Sequence, residues 1–61
     1  MELFIDIKNG RPIYDQIYTQ IRDQIIAGIL QPGNKMPSVR ELATELTINP
    51  NTIQRAYREL E

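Results

Sequence analysis

The spacing of apolar residues along this chain switches from a period of two to a helical one. Over residues 3–8, LFIDIK, Leu3, Ile5 and Ile7 alternate with Phe4, Asp6 and Lys8. That is the pattern of a half-buried strand. Asn9-Gly10 then closes the run with a turn signal. No second run of this kind offers a pairing partner, so residues 1–10 are expected to form an extended arm or a short strand. From Pro12 onward the apolar set Ile13, Ile17, Ile21 and Ile25, flanked by Tyr14 and Tyr18, recurs at helical spacing. Proline suits the first position of a helix because its fixed φ and missing N–H cost nothing there. Gly28 is a stop signal, and Gln31-Pro32-Gly33 reads as a turn beyond it. The pattern predicts a helix over residues 12–27.

Two shorter helical patterns follow with barely a turn between them. Ser38 with Glu41 three residues on has the form of a capping box. Val39, Leu42, Ala43 and Leu46 then make one apolar stripe, predicting a helix over 38–46. Asn49-Pro50 marks the next start. The residue before a proline is disfavoured in helical geometry, which suits Asn49 as N-cap and Pro50 as first helical residue. Asn51 is the competing cap. Ile48 and Ile53 occupy the two positions of a hydrophobic staple. The predicted third helix, 50–60, buries Ile53, Ala56, Tyr57 and Leu60. At about 100° per residue, Asn51, Arg55 and Arg58 fall on its opposite side, with Gln54 at the margin.

A short helix, a tight turn and a second helix form the unit that places one helix in the DNA major groove. The polar side of the third predicted helix has an ordinary explanation, because any amphipathic helix shows water something hydrophilic. Its residue types favour the sharper one. Asparagine and glutamine can bond adenine bidentately, and arginine can do so to guanine or grip a phosphate. A generic solvated face draws more on Glu and Lys at pairing distance. Arg40 stands in the first turn of its helix, either paired with Glu41 or Glu45 or acting as a phosphate clamp beside free N–H groups. Ser38 and Thr52 are caps or first-turn hydroxyls that could also donate to phosphate. Tyr14, Tyr18 and Tyr57 read as core or half-core residues before base-stacking platforms, and Lys35 as a solvated loop charge.

Composition narrows the alternatives. Sixty-one residues make one small domain. A chain of that size buries only about 60% of the surface its unfolded form exposes. Without cysteine or histidine, disulfides, thiolate chemistry and imidazole metal sites are excluded, and no metal or cofactor is expected. The absence of cysteine fits the cytoplasm. No apolar run approaches the roughly 20 residues of a membrane span, and MELFIDIK does not start like a signal peptide. Glu41 and Glu45 have no histidine, cysteine or glycine-rich loop near them in sequence, so nothing suggests an enzyme. The net charge of −1 argues against nucleic acid, although placement decides, since screening limits a charge's reach to about 8–10 Å.

The run from Gly28 to Leu60, GILQPGNKMPSVRELATELTINPNTIQRAYREL, resembles the N-terminal DNA-binding domain of the GntR family of bacterial transcription regulators. The preceding RPIYDQIYTQI is similar to the start of that domain, and INPNTIQRAYRELE most resembles the YtrA-like subfamily. The combination P-G-x-x-M-P-S-x-R-x-L-A with N-T-I-x-x-A-Y-x-x-L is far more specific than a generic helix-turn-helix pattern. The resemblance implies an all-α, three-helix core of a winged helix-turn-helix domain. It further implies a cytoplasmic regulator, a repressor, that binds a palindromic double-stranded DNA operator as a homodimer.

Arg40 is carried over as the DNA-contacting arginine of the second helix. Asn49, Pro50, Asn51 and Thr52 match the start of the recognition helix, and Gln54 and Arg55 its exposed side. Pro50 stands where several members have an arginine, and Met36 where leucine is commoner. The family continues with a β-hairpin wing and an effector or dimerisation domain, so the expectation is a truncated domain over 1–61, without wing or effector pocket. The expected DNA-binding set is Ser38, Arg40, Asn49, Asn51, Thr52, Gln54, Arg55 and Arg58. Two alternatives stay open: a helical protein-interaction or dimerisation module, and the DNA-binding part of a MocR-type regulator with an aminotransferase-like domain.

Overall fold

Three helices form where the caps predict them. In the computed structural model, which describes residues 2–30 and 36–60, they are α1 (Ile13–Ile26), α2 (Val39–Leu46) and α3 (Pro50–Glu59). Each lies within one residue of its expected bounds at either end. Pro12 and Ser38 are N-caps with extended ψ rather than first helical residues, and Leu60 is the C-cap of α3. The Gln31-Pro32-Gly33 turn and Lys35 lie outside the described residues.

Gly28 ends α1 as its sequence position suggests. It adopts φ 80°, the Gly28 N–H donates to Ile25 O at 3.1 Å, and the Ile29 N–H donates to Gln24 O at 2.9 Å. These are the paired bonds of a Schellman cap, which satisfy carbonyls the helix end leaves free.

The core joins one patch from each helix: Ile17 and Ile21, Leu42 and Ala43, Ile53 and Ala56. Ile17, Ile21 and Ile53 are fully buried, each side chain contributing roughly 1.5–3 kcal/mol by leaving water. Tyr57 closes the edge of this core and donates from its hydroxyl to Pro37 O at 2.7 Å, tying α3 to the approach of α2. Burial raises the Tyr57 pKa above the ordinary tyrosine value, with the negative field of Glu41 adding to the shift. The expected apolar stripe of α1 is cut short. Ile25 is 43% exposed and lies outside the core cluster that holds Ile17 and Ile21.

The N-terminal segment is an extended arm; no strand occurs among the described residues. What it lacks in a partner strand, three glutamines of α1 supply. Phe4 N–H donates to Gln20 Oε1 at 2.8 Å, and Gln20 Nε2 donates to Phe4 O at 2.6 Å. Gln16 repeats this reciprocal pair with Asp6 at 2.9 and 3.0 Å. Gln24 Nε2 donates to Glu2 O at 2.8 Å. The registers match because two extended residues advance about 6.6 Å and four helical residues about 6 Å. The arm therefore runs antiparallel to α1 with alternate peptide groups docked on it. Leu3 and Ile5 pack against the core, whereas Phe4 and Ile7 stay in solvent.

Candidate nucleic-acid interface

The turn between α2 and α3 is set by Thr47, a residue the sequence pattern does not mark. It adopts the left-handed conformation, φ 57° and ψ 47°. That geometry lets Ile48 N–H reach Ala43 O at 2.9 Å and Thr47 N–H reach Thr44 O at 3.3 Å. A second Schellman cap is thus made without glycine, at the steric cost a β-branched residue carries at positive φ. Two residues later Asn49 caps α3, its Oδ1 accepting from Asn51 N–H at 2.8 Å. That resolves the choice of cap in favour of Asn49, with Pro50 in the first turn. Ile48 packs against the core cluster that contains Ile53, consistent with the staple. Ser38 Oγ likewise accepts from Glu41 N–H at 3.1 Å.

These constraints present α3 with Asn51, Gln54, Arg55 and Arg58 exposed along one side and Thr52 half-buried at its edge. Arg40 is exposed on α2 and lines a groove with Thr44, Thr47 and Pro50. Its side chain forms no ion pair with Glu41 or Glu45; the ion pairs among the described residues are Arg11–Asp15 and Arg22–Asp23. Ser38 and Asn49 use their side-chain oxygens as caps, Asn49 within the turn and Ser38 further off at the start of α2. The structure thus puts Arg40 in a groove that reaches Pro50 at the start of α3, and leaves Ser38 in a separate depression with Glu41.

Arg55 does not stand free. Its Cζ lies 3.8 Å from the centroid of the Tyr14 ring, and its Nη2 donates to the Tyr14 hydroxyl at 3.2 Å. Tyr14, in the first turn of α1, is therefore a member of this surface, where the sequence reads it as core or half-core before a base-stacking platform. Its partner is 41 positions away in sequence, and only the docking of α1 against α3 reveals the pair. A cleft between Pro12–Tyr14 and α3 also contains Asn51 and Arg58.

Charge placement bears on the objection raised by a net charge of −1: α3 carries two exposed arginines, Arg55 and Arg58, against one exposed carboxylate, Glu59. Glu45 lines a depression beside the arm with Glu2 and Leu3. Glu41 lines another with Met36 and Pro37, and Asp15 is engaged by Arg11. None of these carboxylates lines the Arg40 groove or the cleft holding Arg55 and Arg58. Among the described residues no group of three or more Asp or Glu could hold a metal ion. No helix there is long and apolar enough to cross a membrane.

Residues 13–61 match the model of bacterial regulatory proteins of the gntR family. The chain belongs to that family. It is 53% identical over 57 residues to the HTH-type transcriptional repressor YtrA of Bacillus subtilis, covering 93% of this chain and 44% of that protein. It is 51% identical over 59 residues to the HTH-type transcriptional regulator Rv1152 of Mycobacterium tuberculosis, covering 97% and 49%. Among solved structures, YtrA from Sulfolobus acidocaldarius, a GntR-family transcription factor, superimposes with a TM-score of 0.91 at 46% identity, over 95% of this chain and 62% of that one. The three-helix arrangement is thus the helical core of a GntR helix-turn-helix domain. These relatives are transcription regulators, not enzymes, and they give the interaction-module alternative no support. The chain spans about half the length of these two curated relatives.

Proposed function

We propose that this domain reads a palindromic operator for a cytoplasmic transcriptional repressor, with α3 in the major groove. The observation that carries this reading is the exposed side of α3, with Asn51, Gln54, Arg55 and Arg58, next to a groove that Arg40 shares with Pro50 at the start of that helix, while Glu41 and Glu45 of α2 line other depressions. Phosphate contacts from Arg40, Arg58 and the hydroxyls of Ser38 and Thr52 fix the register, and Asn51 and Gln54 probe base edges. Asn49 supports this work from the cap, holding the first turn of α3 in shape. The repressor role follows the names of the Bacillus relative and of the vitamin B6 salvage pathway repressor PtsJ, 48% identical over 56 residues. Homodimerisation and effector binding are assigned to other parts of such a regulator.

The test is selection of duplexes from a random pool, followed by binding of variants to the selected sequence and to its single-base-pair changes. Gln54→Ala should relax preference at one position by about 5- to 150-fold, the worth of one bidentate base contact. Arg40→Ala should weaken binding about equally on every duplex. Failure to enrich any sequence, or equal losses from both variants on every duplex, refutes base reading by α3.

A further inference from the structure

The Tyr14–Arg55 stack joins a helix that flanks the recognition helix to one of that helix's cations. We infer that Tyr14 is a positioning residue for DNA binding, holding the Arg55 guanidinium as a phosphate clamp in the α1–α3 cleft. This rests on the DNA-binding reading above and adds to it a role for Arg55, which the sequence places only on the exposed side of the recognition helix.

The geometry supports this role in three ways. On α3, Asn51 and Arg58 are seven residues apart and fall within about 20° of one another, and Arg55 sits about 40° or more to one side of them. That side carries Tyr14, and the ring draws the guanidinium further toward α1. The guanidinium is thus held on the α1 flank of the recognition helix. Second, stacking uses the face of the guanidinium and one of its five N–H donors, leaving its in-plane edge for a bidentate phosphate contact. Third, Arg55 and Arg58 line the same cleft, and neither forms an ion pair with a carboxylate among the described residues. Two cations sharing a cleft in this way are relieved by an anion from outside.

The test is a double-mutant cycle in the full chain. Binding is measured to a duplex selected by the wild type and to a scrambled duplex of equal length, across a salt series. Arg55→Ala should weaken both complexes by the same factor and reduce the salt slope by about 1. Tyr14→Leu should weaken both by about two- to fivefold, the size of an exposed cation–π contact, and Tyr14→Phe by less. In the Arg55→Ala background Tyr14→Leu should cost nothing further. A second readout needs no substitution: the Arg55 δ-methylene protons, shifted upfield by the Tyr14 ring in the free protein, should stay shifted when duplex is added. Additive losses, a change in preferred bases from Arg55→Ala, or return of those protons to ordinary positions on binding overturns the inference while leaving the domain a DNA reader. If the wild type shows no salt-sensitive binding, the DNA reading fails and takes this inference with it.

Discussion

Replacing Gln16 by leucine should unfasten the N-terminal arm at a cost out of proportion to one polar side chain. Gln16 is only 5% exposed. Its Oε1 accepts from Asp6 N–H, while its Nε2 donates to Asp6 O and to Arg11 O at 3.1 Å. Leucine has comparable volume and helix propensity, so the substitution isolates the hydrogen bonds from packing and backbone effects. Each lost bond is worth about 0.5–1.5 kcal/mol net. Asp6 and Arg11 are themselves exposed, so water recovers part of the loss, and about 2 kcal/mol remains. Against roughly 3–9 kcal/mol for a domain of this size, that is a lowering of the melting temperature by on the order of 10 °C.

Gln20→Leu is the matched control. It removes a reciprocal pair of the same form, with Phe4, at a site open to water that can replace both bonds, and should cost less than about 1 kcal/mol. Urea unfolding followed by circular dichroism measures both, with amide exchange at Asp6 reporting arm release. If the two variants lose equal stability, burial does not decide the worth of these bonds and the account of the arm is wrong.

Thr47→Gly should raise stability by about 0.5–1 kcal/mol, because glycine accepts the left-handed geometry without the steric cost; a thermal melt showing destabilisation contradicts the Schellman turn drawn for α2. Tyr57→Phe should cost about 1 kcal/mol at neutral pH through loss of its bond to Pro37. The raised Tyr57 pKa means the folded state holds this proton more tightly than the unfolded chain. Stability should therefore be full below about pH 10 and fall as pH rises through the folded pKa. Urea melts from pH 7 to 11 should show a steeper alkaline loss in the wild type than in Tyr57→Phe, and parallel losses would refute the assignment.

The helix starts were legible because proline, Ser38 and Asn49 act locally, on donors within two or three residues of themselves. The buried faces of α2 and α3 followed from periodicity for the same reason. What escaped depended on long-range docking or on a residue acting against its preference. Glutamines at positions 16, 20 and 24 look like ordinary helix surface until the arm lies across them. Thr47 gives no sign of a left-handed turn, since threonine disfavours it and the surrounding fold imposes it. Arg55 was legible as a polar face residue but not as the partner of Tyr14, because that pair exists only once α1 and α3 pack. Ile25 carried the right period yet stays outside the core cluster and partly in solvent.

The most direct test of the central claim is the salt dependence of binding to duplex DNA by this domain. Three arginines placed against phosphate, Arg40, Arg55 and Arg58, should each release a counterion. The logarithm of the binding constant should then fall against the logarithm of salt concentration with a slope of about −2.7 per domain. Binding with a slope near zero, or no binding to any duplex at low salt, would contradict the claim that this surface grips DNA.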